Sequence, residues 1–89
     1  MTVIRFNLKA YRKSKGLTQS ALAEMIGLDQ SMVSYYERNW RTVKNSTILQ
    51  IAEALGIEPM ELFLDDNGVS AKKLGYQVDF FPDDFKFVD

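Results

Sequence analysis

Residues 19–39, QSALAEMIGLDQSMVSYYERN, decide how this chain folds, because they have the pattern of two short helices joined by a tight turn. In the first helix, Leu22, Met25 and Ile26 recur at the three- and four-residue spacing that places side chains on one helix face. Gly27 is typical of a helix end, since a residue without a β-carbon enters the left-handed conformation at little cost. The stretch therefore predicts a compact helix–turn–helix unit.

The second of these helices has an inward and an outward face. Asp29 is a favourable N-cap for it, and Val33 and Tyr36 fall on the side that meets the first helix. The opposite side carries side chains that donate and accept hydrogen bonds: Gln30, Ser31, Ser34 and Tyr35. A helix that is buried on one face and polar on the other suits readout of the DNA major groove.

The same stretch resembles the helix-turn-helix of the phage repressor and Cro family, also called the xenobiotic-response-element family. The resemblance is carried by Leu17, Thr18, Gln19, Ala23, Gly27, Val33, Glu37 and Arg38. Downstream, ILQIAEALGI at 48–57 is similar to the family's fourth helix, and PMELF at 59–63 to its fifth. The resemblance covers roughly residues 5–64 and implies a mainly α, five-helix, lambda-repressor-like DNA-binding domain.

Composition narrows the classes of function. The chain has 89 residues, enough for one small domain, and contains neither cysteine nor histidine. Thiolate metal sites and the commonest general base are therefore excluded, and we expect neither catalysis nor a cofactor. Glu37 is interpreted as a structural partner for a nearby arginine. No apolar run is long enough for a membrane helix, so we expect a soluble, cytoplasmic protein without a membrane partner.

Charge is distributed unevenly along the chain. The formal net charge is −1, which by itself disfavours a nucleic-acid binder. Residues 1–64 hold eight Lys and Arg against six Asp and Glu, a net +2, whereas residues 65–89 hold three against six, a net −3. The acidity therefore lies in the C-terminal segment, and DNA affinity has to come from where the positive charges are placed.

The remaining segments extend the helical pattern. Residues 2–6 predict either a short strand or the lead-in to a first helix over Asn7–Lys15. Thr18 is a predicted N-cap, residues 39–46 are a predicted loop, and Ser46 or Asn45 is the predicted cap of the helix that follows. The apolar stripe of that helix is Ile48, Ile51, Ala52 and Leu55.

The resemblance assigns DNA contacts residue by residue. It places Gln30 where a base-reading glutamine is common, and its amide suits the N6 and N7 edge of adenine. Ser31, Ser34 and Tyr35 are the other predicted base readers, although Tyr35 has phosphate contact and packing against the loop as alternatives. The predicted phosphate contacts are Gln19, Arg38, Asn39, Arg41, Lys44 and Asn45. For Trp40, stacking on a sugar, closing the core and contacting a protein all remain open.

The segment 65–89 is predicted to be an acidic, aromatic extension with a β-strand or hairpin. Six of its apolar residues are the predicted dimer or partner contacts: Tyr76, Val78, Phe80, Phe81, Phe85 and Phe87. Folding back onto its own domain is the alternative. The leading hypothesis is a homodimeric repressor that binds a palindromic operator in double-stranded DNA. The alternative hypothesis is an antitoxin whose extension binds a toxin.

Overall fold

A computed structural model describes residues 4–71 of the chain, which form four α-helices, two short 3₁₀-helices and one two-stranded antiparallel ladder. The elements in chain order are β1 (Arg5–Phe6), α1 (Leu8–Ser14), α2 (Gln19–Ile26), α3 (Gln30–Arg38), a 3₁₀-helix (Trp40–Thr42), α4 (Asn45–Leu55), a second 3₁₀-helix (Pro59–Leu62) and β2 (Phe63–Leu64). The predicted mainly α class is confirmed. The strands predicted within residues 76–88 lie outside the described residues.

The predicted fifth α-helix is wrong. Pro59–Leu62 makes a single 3₁₀ turn, in which the Glu61 N–H donates to the Glu58 carbonyl at 2.9 Å. The chain then becomes extended at Phe63. The residues that would continue the helix instead form β2, which pairs in the register Arg5 with Leu64 and Phe6 with Phe63. This pairing also shows that Arg5–Phe6 is a strand and not a helix lead-in.

The core draws side chains from every helix. The largest fully buried ones are Leu8, Leu22, Ile48, Met60, Leu62 and Val33. The predicted stripe of α4 is confirmed, with Leu55 partly buried at its end. Met25 was predicted to face inward with Leu22, and this is wrong: it is 52% exposed. The buried stripe of α2 centres on Leu22 and Ala23, which leaves Met25 at its flank.

The helix ends match the predicted capping residues only in part. The Ala21 N–H donates to the Thr18 hydroxyl at 3.0 Å, and Gly27 ends α2 in the left-handed region at φ 72°. Asp29 occupies the N-cap position of α3, but its side chain makes no capping hydrogen bond. The N-cap of α4 is Lys44, one residue before Asn45 and two before Ser46, the two predicted caps. Lysine offers no acceptor, so the first N–H groups of α4 have no side-chain cap.

The first residues of the predicted extension pack on the helical unit. The Asp65 carboxylate accepts hydrogen bonds from the Asn67 and Val69 backbone N–H groups, both at 2.9 Å. The chain returns to β2, where the Ala71 N–H donates to the Phe63 carbonyl at 2.8 Å. Ala71 is completely buried. Residues 65–71 therefore form part of the folded unit.

Candidate nucleic-acid interface

The turn between α2 and α3 fixes the direction of α3. After Gly27 the Leu28 N–H reaches back to the Ala23 carbonyl at 2.9 Å, which closes the end of α2. The Asp29 carbonyl then accepts from the Val33 N–H at 3.2 Å and starts α3. Val33 is fully buried, so the rotation of α3 about its own axis is set by its contact with the core.

This rotation leaves the predicted base-reading residues on the open side of α3. Gln30 and Ser31 are exposed in its first turn, and Ser34 is half-buried one turn later. Tyr35 is 46% exposed, and its ring lies edge-on to Tyr36 with 5.9 Å between the centroids. The four side chains therefore share one accessible helix face with polar groups directed away from the core.

A chain of polar contacts links both ends of α3, through Gln30 and Glu37, to Gln19 of α2 and Arg12 of α1. Arg12 of α1 donates through Nε to Glu37 Oε2 at 2.7 Å and through Nη2 to Glu37 Oε1 at 3.3 Å. Gln19 Nε2 donates to the same Oε1 at 3.1 Å, and Gln30 Nε2 donates to Gln19 Oε1 at 3.4 Å. Arg12 and Glu37 side chains are only 12% and 4% exposed. The predicted arginine partner of Glu37 is therefore Arg12.

The direction of these hydrogen bonds follows from chemistry. An ionised carboxylate only accepts, so Glu37 requires the NH₂ group of Gln19 to face it and leaves the Gln19 oxygen for Gln30. Gln30 then uses one N–H toward Gln19. Its carbonyl oxygen and second N–H make no hydrogen bond within residues 4–71. One acceptor beside one donor is the pair that the major-groove edge of adenine complements.

The C-terminal end of α3 carries two of the predicted phosphate contacts. Arg38 is exposed, and its Nη1 donates to the Ser34 hydroxyl one turn earlier. Asn39 ends the helix: its backbone N–H donates to the Tyr35 carbonyl at 2.8 Å and its Nδ2 donates to the same carbonyl at 3.1 Å. Arg38 thus remains accessible, whereas the Asn39 side chain is engaged in holding the helix end.

The loop after α3 is ordered by Trp40 and Val43. Trp40 is half-buried against the core, and Val43 is buried with 4% exposure. The guanidinium carbons of Arg5 and Arg41 each lie 4.4 Å from the centroid of the Trp40 ring. Sequence reasoning left the role of Trp40 open and missed Arg5, because nothing in the local pattern indicates that β1 reaches this loop.

The start of α4 carries the last two predicted phosphate contacts. Lys44 is exposed at the N-cap position. Asn45 is half-buried, and its Oδ1 is shielded from solvent without a hydrogen-bond partner within the described part of the chain. Of the Asn45 side chain, the Nδ2 group is the donor suited to a phosphate oxygen. The predicted dimer contacts from Tyr76 to Phe87 lie outside the described residues.

The Tyr11 hydroxyl of α1 has a perturbed acidity. Burial, helped by the charge of Glu61, raises the pKa of the Tyr11 hydroxyl above its usual value, so it stays protonated at neutral pH. Within residues 4–71, no group of acidic side chains is arranged to hold a metal ion. The same residues include no helix long and apolar enough to cross a membrane.

Comparison with known proteins places this arrangement in a family. The family model described as helix-turn-helix matches residues 8–62. A hypothetical transcription factor of Neisseria meningitidis serogroup B is 37% identical over 62 residues, which are 70% of this chain and 58% of that protein. The Control protein C.SmaI of Serratia marcescens is 36% identical over 60% of this chain and 63% of its own length. The chain thus spans less than two thirds of these two proteins.

Two further relatives are covered more fully. An uncharacterized HTH-type transcriptional regulator of Sinorhizobium fredii, y4dJ, is 36% identical over 63% of this chain and 73% of its own length. The crystal structure of the restriction-modification controller protein C.AhdI from Aeromonas hydrophila matches with a TM-score of 0.52 and 50% identity, over 63% of this chain and 85% of that one. The antitoxin hypothesis has no support among these relatives. The chain belongs to the helix-turn-helix family of DNA-binding transcription regulators of the Cro/C1, or xenobiotic-response-element, type.

Proposed function

We propose that this chain binds DNA sequence-specifically by inserting α3 into the major groove, with its N-terminal half toward the base edges. The observation that carries the proposal is the open polar face of α3, opposite the fully buried Val33. Gln30 reads an adenine through its free oxygen and N–H, and Ser31, Ser34 and Tyr35 contact neighbouring bases directly or through water. The polar chain through Gln19 supports this, because it limits the orientations of the Gln30 amide.

The phosphate backbone is held on both sides of α3. Arg38, Arg41 and Lys44 are exposed cations at its C-terminal side, and residues 1–64, which include them, carry a net charge of +2. Gln19, Asn39 and Asn45 add neutral donors. Such contacts fix the register of a protein on the duplex and release counterions, but do not read sequence. The net charge of −1 is compatible with this role, since the surplus acidic residues lie within residues 65–89.

The chain acts as a homodimer on a palindromic operator. One such helix reads only a few base pairs, whereas two copies spaced about one DNA turn apart read a symmetric site and bind with much higher effective concentration. The apolar residues of the segment after Ala71 are the candidate link between the copies, including Tyr76, Phe80 and Phe85. We place the DNA contacts within residues 1–64, on which residues 65–71 pack, and assign dimerisation to the extension after Ala71.

Selection of DNA from a random pool tests the proposed function. The recovered site is expected to be symmetric, with an adenine at equivalent positions of both half-sites. Sedimentation is expected to give a dimer for the full chain and a monomer for a chain ended after Ala71, with weaker binding of the selected DNA. The cut is placed there because Ala71 is buried in the folded unit. A selected pool without sequence preference would refute specific readout, and a monomeric full chain would refute the dimer.

A second, more specific proposal concerns the genes that this protein regulates. The 50% identity with a restriction-modification controller protein, over 85% of that chain, supports control of a restriction-modification gene pair. The selected site is then expected upstream of such genes, and the purified protein is expected to reduce transcription from that promoter as a repressor. Transcription that rises on adding the protein would show an activator. Selected sites unconnected with such genes would remove the restriction-modification assignment.

A further inference from the structure

Trp40 lies between two guanidinium groups that behave differently. The guanidinium carbons of Arg5 and Arg41 are each 4.4 Å from the ring centroid, well within the range of a cation–π contact. The indole itself is fixed, because Trp40 packs against the core and sits in a 3₁₀-helix whose Thr42 N–H donates to the Asn39 carbonyl at 3.0 Å. The ring therefore forms a rigid surface beside the end of α3.

Arg5 is engaged by the protein. Its Nη1 donates to the Phe6 carbonyl at 3.0 Å, its Nη2 lies 3.4 Å from Asp66 Oδ1, and its side chain is 21% exposed. Asp66 is held in turn by Asn7 Nδ2 at 3.1 Å. Arg5 thus has a counter-ion, and most of its side chain is covered. We therefore assign it the role of supporting the Trp40 ring.

Arg41 has none of these partners. It is exposed, and within residues 4–71 it makes neither a hydrogen bond nor an ion pair beside its contact with Trp40. A stacked guanidinium uses its planar face and leaves the N–H donors at its edge free. Two like charges share one ring, and only that of Arg5 has a counter-ion in the described part of the chain. The unbalanced positive charge favours an incoming anion.

We propose that Trp40 is a positioning residue, whose indole holds the Arg41 guanidinium in place with its N–H donors free for a DNA phosphate. The inference rests on the proposed DNA binding. It adds that the Trp40 ring orients Arg41 for its phosphate contact before DNA binds. A flexible arginine loses rotamer freedom when it binds, and stacking removes part of that freedom in advance. The gain in affinity expected from a partly exposed cation–π contact is about two- to fivefold.

The first test needs no DNA. Trp40 is the single tryptophan of the chain, so its fluorescence reports on this ring alone. In the free full-length protein, Arg41→Ala is expected to make the indole more accessible to acrylamide and to raise the quenching constant. Lys44→Ala is the matched control, because Lys44 is a nearby exposed cation without a contact to the ring, and it is expected to leave quenching unchanged. Equal quenching in wild type and Arg41→Ala would show that no stack exists.

The second test is a double-mutant cycle measured on the selected DNA site. Trp40→Leu keeps apolar bulk without an aromatic face and is expected to weaken binding about two- to fivefold. Trp40→Phe keeps an aromatic face and is expected to restore most of the affinity. In an Arg41→Ala background, Trp40→Leu is expected to cause little further loss. A loss of the same size in both backgrounds would make Trp40 merely structural and overturn the inference.

A loss of DNA binding in a Trp40 variant must be distinguished from a loss of folding. Thermal unfolding of each Trp40 variant shows whether it is folded at the assay temperature. If Trp40→Leu does not fold, the same cycle is run with Trp40→Met, which also lacks an aromatic face, and an equal loss of affinity with and without Arg41 overturns the inference. Wild type without DNA binding would overturn the proposed function and this inference together. Binding with an additive cycle would overturn this inference alone.

Discussion

The base-reading and the phosphate-contacting side chains of α3 are held in different ways. Gln30, in the first turn, is linked through Gln19 to Glu37 of the last turn, whose ion pair with Arg12 is almost completely buried. Arg38, the residue after Glu37, is exposed and among residues 4–71 contacts only a neighbour within the same helix. Base readout needs fixed geometry, whereas phosphate contacts tolerate adjustment, so the difference matches the two proposed tasks.

The two ion pairs of the described residues should also contribute differently to stability. The Arg12–Glu37 pair has a 2.7 Å contact between side chains that are 12% and 4% exposed. The Arg5–Asp66 pair has a 3.4 Å contact, and the Asp66 side chain is 82% exposed. Breaking a buried pair leaves a charge without its partner or water, whereas solvent compensates for the loss of an exposed one. Stability should therefore depend far more on the first pair.

The largest expected effect comes from removing Glu37. Glu37→Ala removes the only counter-ion of Arg12 among residues 4–71, and the acceptor of the Gln19 amide, and leaves the guanidinium with the Leu17 carbonyl alone. It is expected to lower the free energy of unfolding by about 3 kcal/mol or more. Urea denaturation followed by circular dichroism measures it. Asp66→Ala is the matched control and is expected to cost less than about 1 kcal/mol. Similar losses for the two variants would mean that burial does not make the Arg12–Glu37 pair more important for stability than the exposed pair.

The next effect concerns the base-reading end. Gln30→Ala is expected to weaken binding to the selected DNA site by about 1–3 kcal/mol and to relax sequence preference at one base pair of each half-site. Gln19→Ala should relax the same position, since it frees the Gln30 amide to rotate. Gln50→Ala, at an exposed glutamine of α4, is the control. Binding profiles that do not change in the first two variants would remove both residues from the interface.

Much of the fold could be predicted because local chemistry decides it. Gly27 at φ 72°, the Thr18 cap and the buried Val33 follow from rules that involve a few neighbouring residues. The fifth helix could not be judged in this way. Whether PMELF continues as a helix depends on its pairing with Arg5–Phe6, at the other end of the described chain. A short apolar segment is compatible with either outcome until its partner is known.

In the candidate site, too, some features depend on local sequence and others on tertiary contacts. The outward face of α3 followed from helix periodicity, and the structure places Gln30, Ser31 and Tyr35 at exposed positions. Which side chains position them was harder to predict. An arginine for Glu37 was expected, but its identity as Arg12, and the link onward through Gln19, depends on how α1 packs beside α3. The partners of Trp40 depend on tertiary structure in the same way.

The phosphate-contacting end should respond to salt more than to sequence. Arg41→Ala or Lys44→Ala is expected to flatten the plot of log affinity against log salt by about 0.9 for each lost phosphate contact, equivalent to about a fivefold loss at physiological salt. The preferred sequence should stay the same. Lys9→Ala removes an exposed cation of α1 outside the proposed interface and should leave the slope unchanged. An unaltered slope in the first two variants would place both residues away from the DNA backbone.

The smallest expected effect concerns the N-cap residues of α2 and α3, Thr18 and Asp29. Thr18 accepts a hydrogen bond from the Ala21 N–H at 3.0 Å, next to Gln19, whereas Asp29 makes no side-chain cap for α3. Thr18→Ala is expected to lower the free energy of unfolding by about 1 kcal/mol, and Asp29→Ala by no more than a few tenths. Urea denaturation of the two variants measures the difference. A larger loss for Asp29→Ala would show that α3 depends on its own cap, and that its N-terminal end is held by more than the chain of contacts through Gln19.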